Sequence, residues 1–160
     1  MRNVYFSFHY ADSWKVNQIR NSGLVFGARS VGFVDKSLWE EAKAKNPAAL
    51  RKLIGEGLDG TSVTVVLVGQ DTASRPWVKY ELVESLRRGN ALVGVHLNRV
   101  RDRTGKTTGI GAIPVLLKEQ SAPIYTWQNA KTLGEWVEKA WRDKNPDPGF
   151  FASLGRVLGL

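Results

Sequence analysis

Apolar segments alternate with amphipathic ones along the chain, which indicates alternating strands and helices. Residues 61–69 and 91–97 are almost entirely β-branched or apolar, as strands buried on both faces of a parallel sheet are. Residues 4–8 form a further strand, rich in aromatic and β-branched side chains, and weaker strand signals cover 24–34 and 124–127. The pattern therefore predicts five strands.

Between these strands, apolar residues recur at helical spacing. Asp12 or Ser13 is a candidate N-cap of the first helix, whose Trp14 and Ile19 are expected to contact the core. The predicted helices cover residues 13–21, 46–60, 75–88 and 131–142.

This alternation predicts an α/β fold in which helices cover both faces of a central, mostly parallel five-stranded sheet, a flavodoxin-like arrangement of three layers. The length of 160 residues fits one domain, 1–160, with a full core. The tail after Pro146 is expected to pack back on this domain as a short helix. The polar, glycine-rich residues 98–111 are expected to form a flexible loop.

Composition narrows the classes of function. No apolar run is long enough for a membrane span, and the first residues lack a signal-peptide pattern, so a cytoplasmic protein is expected. With no cysteine and two histidines, neither a thiolate nor a histidine-rich metal site is expected. The net charge of +8 would attract nucleic acid, but the basic residues are scattered and no nucleic-acid signature is present. Nucleic-acid binding is therefore disfavoured.

The most informative motif follows the strand at 61–69. Ser74 is a candidate N-cap, and Pro76 fits the first turn of a helix, where a missing N–H costs nothing. Trp77 and Glu81, four residues apart, lie on one face of that helix. Open α/β sheets bind ligands at the carboxyl ends of their strands. Glu81 is therefore a candidate catalytic group beside Trp77, although the spacing alone leaves a solvated surface glutamate as the alternative.

A cluster of polar and aromatic residues follows the first strand. Ser7, His9 and Asp12 are candidates to bind ribose hydroxyls or phosphate, and Phe6 or Tyr10 to stack on a base. Core packing by Phe6 and a helix cap by Asp12 are the alternative. That alternative does not explain the cluster as a whole.

Residues 35–39, from Asp35 to Trp39, are predicted to form a loop that carries an exposed tryptophan. Packing of Trp39 on the sheet edge and a role as an interface or lid are the two interpretations. Two enzyme signatures are absent from the sequence: a Walker loop and a GxSxG elbow. The common modes of nucleotide binding and serine hydrolysis are therefore disfavoured.

Several motifs, taken in order, resemble the TIR-like proteins of Thoeris anti-phage defence, the ThsB type. The resemblance covers about residues 3–100 and fades after Asn98. It is carried by FSFHY at 6–10, VNQIRN at 16–21, DKSLWEEAK at 35–43, GTSVTVVLVG at 60–69, RPWVKYEL at 75–82, Gly89, and GVHLN at 94–98.

The resemblance implies a TIR-like fold and an enzyme that cleaves NAD at the nicotinamide–ribose bond. The product would be an ADP-ribose-derived, cyclic signal that activates a partner effector, with NAD as substrate and no cofactor. The family's Trp-x-x-x-Glu motif places the catalytic glutamate at Glu81, and its pocket uses the loop after the first strand, here Phe6 and Ser7. A loop from a neighbouring subunit often completes such sites, which points to Asp35 and Trp39 and to a homo-oligomer.

The chemistry suits these residue types. Nicotinamide leaves as a neutral molecule, so no general acid is needed, and a carboxylate near the ribose stabilises an oxocarbenium-like transition state. A non-enzymatic TIR-type adaptor that works by assembly is the main alternative. A flavodoxin-type response domain is a weaker one, because the first strand lacks the paired acidic residues that hold magnesium in such domains.

Overall fold

The computed structural model describes residues 2–23 and 36–159. Within them, four parallel strands form one sheet, and their spatial order follows the chain: β1 (Val4–Phe8), β2 (Val63–Val68), β3 (Ala91–His96) and β4 (Ile124–Thr126). The predicted parallel α/β architecture is confirmed. The described sheet has four strands rather than five, and the strand expected at 24–34 lies outside the described residues.

Helices connect these strands, as expected for parallel pairing. A 3₁₀ turn precedes the first helix (Tyr10–Asp12), and another precedes the fourth (Thr72–Ser74). The helices are α1 (Ser13–Arg20), α2 (Lys36–Lys45), α3 (Pro47–Leu58), α4 (Pro76–Arg87), α5 (Val115–Glu119), α6 (Ala130–Lys144) and α7 (Pro148–Leu158). None of the helices in the described ranges is both long enough and apolar enough to cross a membrane.

The sheet separates two apolar layers, and side chains alternate between them along each strand. On one face, Phe6 of β1 packs in a cluster with Ile19 of α1 and Val137 of α6. On the other face, Tyr5 packs on α3, while Val66 of β2 packs on α4. Every residue of β2 and β3 is buried, which explains why both strands are continuously apolar in sequence.

The start of α4 differs in detail from the prediction. Pro76 takes the first helical position, as expected. Ser74 is not the N-cap: it ends the preceding 3₁₀ turn and its hydroxyl donates to the carbonyl oxygen of Asp71 at 3.0 Å. Arg75 occupies the N-cap position without a side-chain capping bond, because the extended backbone that must precede a proline falls there.

Two predictions of buried aromatic or apolar residues are wrong. Trp14 is 52% exposed, because the inward face of α1 is formed by Lys15, Val16 and Ile19. The helix expected in the tail is present as α7, but its Leu154 (41% exposed) and Val157 (82% exposed) do not pack back on the core.

One segment predicted to be a loop is helical. Residues 36–39 belong to α2 rather than to a loop, because Trp39 and Ala42 give this helix an apolar side that packs on α3. Asp35 lies outside the described residues.

The segment 98–111 is a loop, as predicted, and hydrogen bonds tie it down. The carboxylate of Asp102 accepts hydrogen bonds from the backbone N–H groups of Thr104 and Lys106, at 2.8 and 3.0 Å. The segment is also tied to α1, since the Lys15 ammonium donates to the Thr108 hydroxyl at 2.8 Å.

Candidate active site

The turn between β2 and α4 brings Glu81 to the carboxyl edge of the sheet. The backbone N–H of Gly69 donates to the Thr72 hydroxyl at 2.8 Å, which closes the turn at the end of β2. Pro76 then starts α4, and Glu81 follows on the side of that helix that packs against the sheet. The motif read from the sequence therefore places its carboxylate at an inward-facing position.

The Glu81 side chain is buried, with 3% of its surface exposed. The Tyr5 hydroxyl donates a hydrogen bond of 2.5 Å to Glu81 Oε2. Burial raises the pKa of Glu81 to about 8, and this effect outweighs the Tyr5 and Ser7 hydroxyls, which lower it. Such a displaced pKa in a cleft is characteristic of functional carboxyl groups.

Ser7 lies two residues after Tyr5 on β1, so both side chains leave the same face of the strand. The Ser7 hydroxyl is fully buried and has no hydrogen-bond partner of normal geometry within the described residues. It is nevertheless close enough to Glu81 to lower the pKa of that carboxyl. β1 therefore presents two hydroxyl groups to one glutamate of α4.

A cavity of about 410 Å³ opens in front of Glu81. It is bounded by the end of β1, the turn that follows it, α2 and the start of α4. Its lining is mainly aromatic and basic, and consists of Phe8, His9, Tyr10, Ala11, Trp39, Lys43, Arg75, Pro76, Trp77, Val78 and Glu81. Its size is within the range of small-molecule sites.

The wall of this cavity carries positive charge. Lys43 lies 5.9 Å from the ring centroid of Tyr10 and 6.0 Å from that of Trp39. The pKa of His9 is lowered, first by burial and then by the positive charge of Arg75 and of Lys43. A neutral imidazole and two cations thus border a cavity whose only acidic lining residue, among those described, is Glu81.

Most of the residues predicted from the sequence meet at this cavity. His9, Tyr10, Trp39, Trp77 and Glu81 line it, and Trp77 and Glu81 share one face of α4 as the spacing predicted. Ser7 lies behind Glu81.

Two predicted residues lie elsewhere. Phe6 points to the opposite face of the sheet and packs in the core. Asp12 packs against Gly69, where a methyl group would lie 2.1 Å from Asp12 Oδ2.

Three residues of the cavity region were missed: Tyr5, Lys43 and Arg75. The alternation of side chains along β1 was the available signal for Tyr5, because it shares a face with Ser7. The spacing of four residues between Trp39 and Lys43 was the signal for Lys43, once 36–45 is recognised as a helix. Within the described ranges, no group of three or more histidine and acidic side chains is placed to hold a metal ion.

Comparison with known proteins identifies the family to which this chain belongs. Residues 5–102 match the model of the Thoeris protein ThsB, TIR-like domain. A protein of Bacillus cereus (strain MSX-D12), named "Putative cyclic ADP-D-ribose synthase ThsB1", is 38% identical over 147 residues, which cover 86% of this chain and 74% of the relative. Glu81, Trp77 and the cavity all fall within the matched region. The chain therefore belongs to the ThsB family of TIR-like Thoeris proteins.

Proposed function

We propose that this protein cleaves NAD at the bond between nicotinamide and ribose and converts the remainder to a cyclic ADP-ribose signal. In anti-phage defence, that signal would activate a partner effector protein. The observation that carries the proposal is the buried carboxyl group of Glu81 at the base of a cavity with aromatic and cationic walls. The name of the relative from Bacillus cereus supports the class of product.

The cavity lining suits the parts of NAD. The aromatic side chains Tyr10, Trp39 and Trp77 offer surfaces on which a nicotinamide or adenine ring can stack. Lys43 and Arg75 offer positive charge to the diphosphate that joins the two nucleosides. With the diphosphate held at these cations, the nicotinamide riboside would lie towards Glu81.

The reaction breaks the bond between the ribose C1′ and the nicotinamide nitrogen. The electron pair of that bond stays with nicotinamide, whose ring loses its positive charge and leaves as a neutral molecule. Positive charge then develops on the ribose, as in glycoside hydrolysis, and an ionised Glu81 stabilises it. A ring nitrogen of the adenine in the same molecule attacks C1′ and closes the cyclic product. Attack by water instead gives linear ADP-ribose and releases a proton to solvent.

The protonation of Glu81 is coupled to binding in this scheme. With a pKa of about 8, the carboxyl group is mostly protonated at neutral pH in the unliganded protein. The positive charge on the nicotinamide ring of NAD favours the ionised form when it binds nearby. The value of kcat/KM should therefore rise with pH until it levels off above about 8.

The proposal is tested by incubating the purified protein with NAD and separating the products by chromatography. We expect release of nicotinamide together with a cyclic ADP-ribose species, and loss of both in the folded Glu81→Ala variant. Because TIR-type enzymes can require assembly, the assay is repeated with a crowding agent and with phage lysate. Unchanged NAD under all of these conditions, or full turnover by Glu81→Ala, would overturn the proposal and favour a non-enzymatic adaptor.

A further inference from the structure

Two hydroxyl groups on β1, those of Tyr5 and Ser7, lie outside the cavity lining and close to the proposed catalytic group. Tyr5 is 1% exposed and Ser7 is fully buried, and neither is among the residues that line the cavity. A tyrosine hydroxyl normally requires a partner when it is buried. Here that partner is a carboxyl group 76 positions along the chain, on a different element.

We propose that Tyr5 and Ser7 are positioning residues, which orient the Glu81 carboxyl group towards the cavity and favour its ionised form. This inference rests on the proposed function, in which Glu81 acts as a carboxylate. We expect Tyr5 to have the larger effect on Glu81, since the Tyr5 hydroxyl donates a hydrogen bond of 2.5 Å to Glu81 Oε2.

The surroundings of Glu81 explain why hydroxyl donors matter there. Within the described residues, its carboxylate has no ion-pair partner, and the cations Lys43 and Arg75 line the cavity but do not contribute to its altered pKa. The remaining titratable lining groups are His9 and Tyr10. Burial opposes ionisation, and the hydrogen bond from Tyr5, together with the nearby Ser7 hydroxyl, counteracts it.

Tyr5 is itself held so that it remains a donor. It packs among the buried side chains of α3, with Leu50, Ile54 and Leu58 around it. Burial, followed by the proximity of Glu81, raises the pKa of the Tyr5 hydroxyl well above its usual value. The proton therefore stays on the tyrosine when Glu81 ionises, and the hydrogen bond persists across the working pH range.

The test is the Tyr5→Phe variant, which keeps the ring in the core and removes only the hydroxyl. The Glu81 carboxyl is followed by carbon-13 NMR during a pH titration, and its signal is assigned with Glu81→Gln. We expect its pKa to rise by about one unit, since a hydrogen bond to an ionised group is worth roughly that much. An unchanged pKa in the folded variant would overturn the inference.

Kinetics supply a second readout that a merely structural role would not change. Below the pKa, kcat/KM is proportional to the ionised fraction, so Tyr5→Phe should reduce it about tenfold at pH 7. The loss should disappear at a pH above the new pKa, and KM at that pH should be unchanged. A loss that is the same at every pH would contradict the inference.

Tyr80→Phe is the matched control. Tyr80 precedes Glu81 on α4 and packs at 5.6 Å, edge to face, on Trp77, so the substitution removes the same group without touching the Glu81 carboxyl. This variant should keep the wild-type pH profile.

Two further results decide the inference if Tyr5→Phe does not fold or if the protein is inactive. If Tyr5→Phe does not fold, Ser7→Ala should shift the Glu81 pKa in the same direction by a smaller amount, and no shift would overturn the inference. If the wild-type protein turns over no NAD, the proposed function fails, whereas the NMR titration still decides whether β1 controls Glu81.

Discussion

Two carboxyl groups near the end of the sheet, Glu81 and Asp12, are both affected by burial, but they differ in the charge and the open space beside them. Burial is the main influence on both and raises the pKa of each. At Asp12, the positive charge of the buried Lys15 lowers the pKa and so opposes the effect of burial. The Asp12 carboxyl group packs against Gly69. Glu81 has hydroxyl donors in place of a cation, and a cavity lies in front of it.

We expect this difference to separate a structural carboxyl group, Asp12, from a catalytic one, Glu81. Lys15, 4% exposed, also donates to the carbonyl oxygen of Leu97 and to Thr108, so its region fixes the 98–111 segment to α1. There, a cation lies near the carboxyl group and the space in front of it is filled by Gly69. At Glu81, a buried carboxyl group without a neighbouring cation lies beside open space. Its ionisation costs stability, and the ionised form would stabilise a cation in the proposed reaction.

The largest expected effect is on turnover. Glu81→Gln should fold and should lower kcat by about 10²–10³-fold, the usual loss when one preorganised electrostatic group is removed. Glu84→Gln is the matched control, since Glu84 lies one turn later on α4, forms ion pairs with Arg87 and Arg88, and lies outside the cavity lining. Nicotinamide release, measured by chromatography, checks both. Equal losses in the two variants would remove the distinction drawn for Glu81.

The next largest effect is on stability as a function of pH. The ordinary pKa of Glu81 is 4.5, and the folded value is about 8. Between these values the unfolded chain has lost the proton and the folded protein retains it, so the free energy of unfolding falls as pH rises. The slope is about 1.4 kcal/mol per pH unit, and it ends above pH 8 or so.

Relative to wild type, Glu81→Gln should therefore gain about 3–4 kcal/mol of stability between pH 5 and pH 8. Urea unfolding at the two pH values measures this difference. A wild-type protein that gains stability from pH 5 to pH 8 relative to Glu81→Gln would contradict the burial argument.

A similar or smaller effect is expected at the Asp12 region. Gly69→Ala would place a methyl group 2.1 Å from Asp12 Oδ2, so the variant should lose about 1–3 kcal/mol of stability through overpacking. In an Asp12→Ala background the same methyl group should cost less, and a double-mutant cycle measures the coupling. Equal costs in the two backgrounds would show that the carboxylate does not fill this space.

The smallest effect is expected at the cavity wall. Lys43→Gln should raise KM for NAD about two- to fivefold with little change in kcat, because an exposed charge contributes at most about 1 kcal/mol. Lys45→Gln, on the same helix, removes a charge that pairs with Glu41 outside the cavity. In steady-state kinetics, the Lys45→Gln control should show the wild-type KM for NAD.

Local sequence patterns predicted the bounds of several helices and strands well, but they predicted poorly which side chains pack against other elements. The bounds of β2, β3, α4 and α6 were close to those found, because continuous apolar runs and helical spacing report burial within one element. The prediction that Trp14 contacts the core was wrong, because more than one face of a short helix carries apolar residues. Which face turns inward depends on the surfaces that the helix packs against. α2 was missed because its apolar side is narrow.

The sequence by itself determined the parallel α/β architecture and the placement of Trp77 and Glu81 on one helix face, after a buried strand. Only the tertiary structure decided that Tyr5 meets Glu81, that α2 closes the cavity with Trp39 and that Asp12 packs against Gly69. The physical reason is that spacing within an element is set by the backbone. Contacts between distant elements depend on how whole faces pack, and no local pattern records this.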